Sequence, residues 1–323
     1  MTVEVRKPRI REPAPAPATA RPAGERQNRL ADTVAGLLLS LRPRQWTKNG
    51  VVLIGLVFAR ELGRPDQVAR GVLAMALFCL LSGAVYLFND LLDIEKDRLH
   101  PTKRRRPLPS GRLSPTVALT AAAGLFVGGI VVALALSPPF AVVAAGYLAL
   151  QAAYVVFLKH TVILDVFALA AGFVLRAVAG AVAVGVPISP WLYVCTMLLA
   201  LFLALGKRRQ ELVLLTAEAA GHRPALEHYT IGLLDQLLQV VTTSLLVAYM
   251  LYTFFAENLP RNHAMMLTIP FVLYGLFRYL YLVQARGEGG SPEEVLLRDR
   301  PIAACVALWA ATAVAILYLF PRF

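Results

Sequence analysis

Asn89, Asp90, Asp93 and Asp97 fall within nine residues, in the run Asn89-Asp90-Leu91-Leu92-Asp93-Ile94-Glu95-Lys96-Asp97. Positions i, i+4 and i+8 of an α-helix step round by about 40° each, so Asn89, Asp93 and Asp97 share one face and Asp90 joins from the flank. Carboxylates this close repel one another unless a cation intervenes. Hard oxygen donors in this number suit Mg²⁺, which takes one or two carboxylates and completes its shell with water and phosphate oxygens. The chemistry on offer is metal-assisted handling of a diphosphate, with Asn89, Asp93 and Asp97 as metal ligands and Asp90 beside them. The bland alternative is a solvated helix end with local pairs such as Asp93–Lys96. Against it, the acids follow directly on the apolar Tyr86-Leu87-Phe88, where solubility alone does not call for helical spacing. Next come Lys103, Arg104, Arg105 and Arg106, then Pro107-Leu108-Pro109-Ser110-Gly111. Guanidinium groups grip phosphate with paired bonds, so this run reads as a phosphate clamp with Lys103 and Arg104 as candidates.

The elements that must position these groups are membrane helices. Of 323 residues 58% are apolar, and the mean hydropathy is +0.62. A spanning helix needs about 20 mostly apolar residues. Nine apolar runs are predicted, at roughly 45–61, 67–88, 114–136, 139–158, 161–184, 189–206, 230–256, 264–284 and 301–320. Proline punctuates them at Ser137-Pro138-Pro139 and again between Gly185 and Pro190. The fold class is therefore all-α and polytopic. Residues 1–38, rich in Pro, Ala and Arg at their start, are expected to be an unstructured tail without the apolar core of a signal peptide. Residues 39–323 are expected to be the catalytic domain.

Lys and Arg fix an expected orientation. With the N-terminus inside, 25 fall on the cytoplasmic side and five on the other, which places both long polar loops, 89–113 and 207–229, in the cytoplasm beneath the inner (plasma) membrane. That bias accounts for most of the net charge of +12, and no nucleic-acid partner is implied; membrane lipids are the partners it does imply. Cys79, Cys195 and Cys305 form no CxxC pair, and the five histidines show no metal-ligand spacing.

Further candidates lie at the helix ends. Tyr154 and Lys159 close the fourth run and Asp165 opens the fifth. Arg176, eleven residues after Asp165, is about 20° from being in line with it and deep enough to need a polar partner. Lys207 and Glu211 stand at i, i+4 and could pair with each other. Arg278 and Tyr281 sit near the end of the eighth run, where a lipid phosphate could meet them.

These residues resemble the UbiA superfamily of intramembrane prenyltransferases, whose first acidic motif, NDxxDxxxD, is matched in full by Asn89–Asp97. The likeness extends over about residues 40–320 and implies helices bundled around a central cavity open to the cytoplasm. Many relatives carry a second acidic motif, DxxxD; here that place reads Gly206-Lys207-Arg208-Arg209-Gln210-Glu211, with bases for acids. The chain looks like the phosphoribosyltransferase branch, through Arg42-Pro43-Arg44-Gln45-Trp46-Thr47-Lys48-Asn49, the Gly206–Leu212 turn and Asp299-Arg300-Pro301. The resemblance implies Mg²⁺, phosphoribosyl diphosphate (PRPP) and a polyprenyl (decaprenyl) phosphate as partners, with Arg44, Lys48, Lys207, Arg208 and Glu211 added to the substrate-binding set. A prenyl transfer from a prenyl diphosphate to an aromatic acceptor shares the fold and the first motif, but the basic turn argues against it. Transport would ask for charges near the midplane of both halves, and only Arg176 is deep. The oligomeric state, including a homo-oligomer, is left open.

Overall fold

Proline opens most of the long helices, where its missing N–H leaves no bond unmade. In the computed structural model, which describes residues 23–217, 226, 228–287, 295 and 298–320, they run α1 Ala23–Ser40, α2 Ile54–Phe58, α3 Pro65–Leu92, α4 Ile94–Leu99, α5 Pro115–Leu136, α6 Pro138–Val156, α7 Leu164–Ala183, α8 Pro190–Ala217, α9 Ile231–Phe255, α10 Ile269–Ala285 and α11 Arg300–Leu319. The Ser137 hydroxyl caps α6 at Phe140 N, Ser114 caps α5, Thr230 caps α9 and the Asp299 carboxylate caps α11. Among the described residues there is no strand.

Among the described residues, eight helical segments are long and apolar enough to cross a membrane: α3, α5, α6, α7, α8, α9, α11 and Ala264–Ala285, which includes α10. They coincide with eight of the nine expected runs. The other, 45–61, is a 3₁₀-helix, Pro43–Leu53, continued by the five-residue α2. Gly50, Val51 and Val52 favour no α-helix here. The steeper 3₁₀ rise carries the two pieces about 30 Å in all, the thickness of a bilayer core.

Three residues per turn also sort the side chains of this segment. Asn49 and Val52 are buried against α3 and α7, while Lys48, Val51 and Ile54 line a cavity. Gly180 has no side chain, and the Val52 carbonyl fills the space a Cβ would occupy. The cavity, about 1090 Å³, lies between this segment and α7 to α11. It is mainly apolar, with Lys48 and Lys207 in one part of its lining and Glu61, Glu257 and Asn258 in another.

Two differences from the sequence reading stand out. The tail expected over 1–38 is helical from Ala23, because Leu37 and Leu41 give α1 and its exit an apolar side that packs on Leu87 and Leu113. Residues 1–22 lie outside the description. The polar loop expected from 207 is the continuation of α8 to Ala217; residues 218–225 and 227 are not described. The other loop, 89–113, holds the last turn of α3, all of α4 and a 3₁₀ turn at Lys103–Arg105.

Candidate active site

The end of α3, the start of α7 and the C-terminal part of α8 meet at one polar end of the bundle. There the acidic motif is not one straight helix. α3 stops at Leu92, Asp93 takes a non-helical conformation, and α4 begins at Ile94. Yet Asp93 N donates to Asn89 O at 3.0 Å and Asp97 N to Asp93 O at 2.8 Å. These bonds keep the i, i+4 register across the break, so Asn89, Asp93 and Asp97 follow the expected helical spacing.

Each carboxylate of the motif has a base beside it. Arg42 Nη2 lies 2.6 Å and Arg106 Nη1 3.1 Å from Asp90 Oδ1. Arg106 Nη1 also donates to Asp97 Oδ2 at 2.7 Å, and Lys103 Nζ is 3.8 Å from Asp97 Oδ1. Lys159 Nζ, arriving from the α6–α7 connection, is 3.6 Å from Asp93 Oδ2. Asp90 is 2% exposed. It works as the anchor for two arginines more than as a flank ligand. Arg42, in a left-handed conformation (φ 52°), stacks over the Tyr86 ring at 4.6 Å and so fixes the turn between α1 and the 3₁₀ segment. Among the described residues no three His, Cys, Asp or Glu side chains converge as a metal cage. One amide and two carboxylates in register suit a cation that keeps waters and takes phosphate oxygens, as Mg²⁺ does, better than one needing an all-protein shell.

The second cluster is closed. Arg208 is 2% exposed; its Nε donates to Asp165 Oδ2 and its Nη1 to Glu211 Oε2, both at 2.6 Å, and its Nη2 to Tyr154 Oη at 3.2 Å. Tyr229 Oη donates to the other oxygen of Asp165 at 2.8 Å and accepts from Ile163 N at 2.8 Å. Burial pushes the Tyr229 hydroxyl above the usual tyrosine range, and the bond to Asp165 adds to the rise, so it stays protonated. Tyr154, Asp165, Arg208 and Glu211 are thus brought together, as part of a buried lattice.

Asp165 and Arg176 do not pair, although helix geometry sets them nearly in line. Arg176 is buried in the middle of α7, with Nε donating to Asn49 Oδ1 at 2.7 Å, Nη2 to Tyr147 Oη at 2.8 Å and Nη1 to Gly172 O at 3.1 Å. Its guanidinium also lies 4.8 Å from the Tyr147 ring centre. Asn49 passes the network on to Ser82 and Cys79. Arg176 therefore ties the 3₁₀ segment to α6 and α7. Lys48, next to Asn49, lines the cavity together with Lys207. Arg44 and Arg104 are exposed. Arg278 is bound to Asp299 at 2.9 Å, and that bond holds the Asp299 carboxyl below its usual value.

A family model described as the UbiA prenyltransferase family matches residues 50–291. The chain belongs to this UbiA family. Among its relatives, decaprenyl-phosphate phosphoribosyltransferase of Mycolicibacterium smegmatis is 36% identical over 300 residues, covering 88% of this chain and 93% of that protein. The protein of the same name from Corynebacterium glutamicum is 33% identical over 299 residues, covering 89% and 88%. A solved UbiA homologue from Archaeoglobus fulgidus bound to GPP and Mg²⁺ aligns with a TM-score of 0.66, over 87% of this chain and 99% of that one, at 18% identity. That likeness is one of UbiA fold.

Several residues of the candidate site escape a reading by type and spacing. Arg106 and Arg42, not Arg104 and Arg44, reach the acids. Both pairs lie inside the quoted basic and Arg-Pro motifs, so the motifs pointed to the right segments without resolving which side chain turns inward. Asn49 closes the quoted Arg-Pro motif without its partner being legible, and Tyr229, in a polar loop, and Tyr147, in an apolar run, carry no signal of their own.

Proposed function

We propose that this chain transfers a 5-phosphoribosyl group from PRPP to a polyprenyl phosphate such as decaprenyl phosphate, releasing diphosphate, with Mg²⁺. The observation that carries the reading is the closure of Asp165 and Glu211 on Arg208. Among the described residues it leaves the acids of Asn89–Asp97, with the partly exposed Asp93, as the acidic face beside bases enough for additional phosphates. The names and near full-length similarity of the relatives support it.

On this reading Asn89, Asp93 and Asp97 hold Mg²⁺, which when bound stabilises charge on the departing diphosphate. Lys103, Arg106 and Lys159 take phosphate oxygens. Lys48 and Lys207 face the lipid phosphate, and the apolar cavity beside them receives the first part of the chain. The bond from ribose C1 to diphosphate breaks, and a bond from C1 to a lipid phosphate oxygen forms. The attacking oxygen is already anionic, so no residue need serve as a strong general base, and the bases act mainly by positioning. Attack opposite to the leaving group inverts the anomeric centre. The excess of Lys and Arg at this end supports a cytoplasmic position for the site and the N-terminus.

The test supplies labelled PRPP and a polyprenyl phosphate in one tube, and a prenyl diphosphate with an aromatic acid in another. Label entering lipid only in the first tube is expected. Product only in the second would sink the assignment.

A further inference from the structure

The carboxylates read as metal ligands carry bases of the chain itself, and the lysines among those bases are held loosely. Lys159 Nζ is 3.6 Å from Asp93 and Lys103 Nζ is 3.8 Å from Asp97, both longer than a charge-assisted hydrogen bond of about 2.7–2.9 Å. The side chains of Lys159, Asp93 and Lys103 are 18%, 22% and 41% exposed. The side chain of Asp97 is 5% exposed and bound by Arg106 at 2.7 Å, so the lysine contacts are the long, weaker members of each set. A lysine ammonium on its flexible stem can also turn to a second anion without backbone movement.

We propose that Lys159 and Lys103 are exchange cations. Lys159 neutralises Asp93 and Lys103 shares Asp97 with Arg106 before ligand arrives, and both lysines pass to diphosphate oxygens when a divalent cation takes the carboxylates. Each lysine then opposes binding of the metal alone and favours binding of the diphosphate. By linkage, metal and diphosphate bind cooperatively. The proposal rests on the metal–diphosphate reading of Asn89–Asp97, and not on which group the diphosphate carries.

The test measures Mn²⁺ binding by its EPR signal to the purified full chain in detergent, with and without inorganic diphosphate. In the wild type, diphosphate is expected to tighten Mn²⁺ about tenfold or more, as in ordinary site–site coupling. Lys159→Met should tighten Mn²⁺ alone, weaken diphosphate, and bring the coupling down toward one. The Mn²⁺–diphosphate complex in solution is common to all samples and cancels between variants. Lys96→Met, which removes an exposed charge on α4, should leave all three quantities near wild type and so separates contact from mere loss of charge. Should Lys159→Met fail to fold, Lys103→Met reads the same quantities at Asp97. Unchanged or weaker Mn²⁺ binding alone, or unchanged coupling, overturns the exchange. A chain that shows the coupling but transfers nothing from PRPP keeps the exchange and loses the proposed reaction; transfer from PRPP without the coupling does the reverse.

Discussion

Two acid–base clusters meet at the polar end, and they are built to opposite purposes. Around Asp93 and Asp97 the lysines stand 3.6 and 3.8 Å off and are partly exposed. Around Arg208 two carboxylates close at 2.6 Å on a guanidinium that is 2% exposed. Short bonds, the burial of Arg208 and Asp165 and several partners make the second cluster costly to open, because removing Arg208 leaves Asp165 buried and uncompensated. In the first, the two lysines can trade partners more cheaply than the arginines, which hold Asp90 and Asp97 at 2.6 and 2.7 Å. Arg208 thus gives Asp165 and Glu211 a permanent cation of the chain.

The sharpest break of this contrast is expected from Arg208→Met. It strands Asp165 and Glu211, so about 3–5 kcal/mol of stability should go, read as a lower melting temperature in detergent with activity lost alongside. Asp93→Ala should do the opposite: turnover falls at least about 100-fold, while the melting temperature stays close to wild type. Wild-type turnover for Asp93→Ala at saturating Mg²⁺ would falsify the ligand assignment. Arg176→Met leaves Asn49 without its acceptor's partner and should cost about 1–3 kcal/mol, seen in melting before any change in substrate KM. Tyr229→Phe removes both the bond to Asp165 and the one accepted from Ile163 N, together worth about 1–3 kcal/mol. Its pH dependence has a fixed sign. The folded hydroxyl holds its proton above the usual value, so its contribution is complete below about pH 10 and declines as pH rises beyond it. The stability gap between wild type and Tyr229→Phe should therefore narrow in alkali. Arg104→Ala, on an exposed residue, should change turnover by no more than about twofold.

The sequence made the membrane helices legible because apolar length is a nearly sufficient signal for them, and the acidic motif legible because its spacing is local. What it hid was partnership across helices. Asp165 sits nearly in line with Arg176 on its own helix, yet its ion pair is with Arg208 on α8, and no periodicity within α7 reports on α8. The 3₁₀ form of Pro43–Leu53 was hidden for a related reason. Its apolar content resembles any short span, and the three-residue repeat that buries Asn49 and turns Lys48 to the cavity shows only once Gly180 admits the Val52 backbone. The helix from Ala23 emerged because its leucines find Leu87 and Leu113, neighbours far along the chain.

The central claim is that the open acidic face serves PRPP. Its most direct test is mass spectrometry of lipids formed by the purified chain from PRPP, Mg²⁺ and a set of polyprenyl phosphates, with released diphosphate counted in parallel. The account expects a polyprenyl-phosphoryl-5-phosphoribose, one diphosphate released for each lipid modified. No phosphoribosylated lipid from PRPP, with prenyl diphosphate consumed and an aromatic acid prenylated under the same conditions, would contradict it.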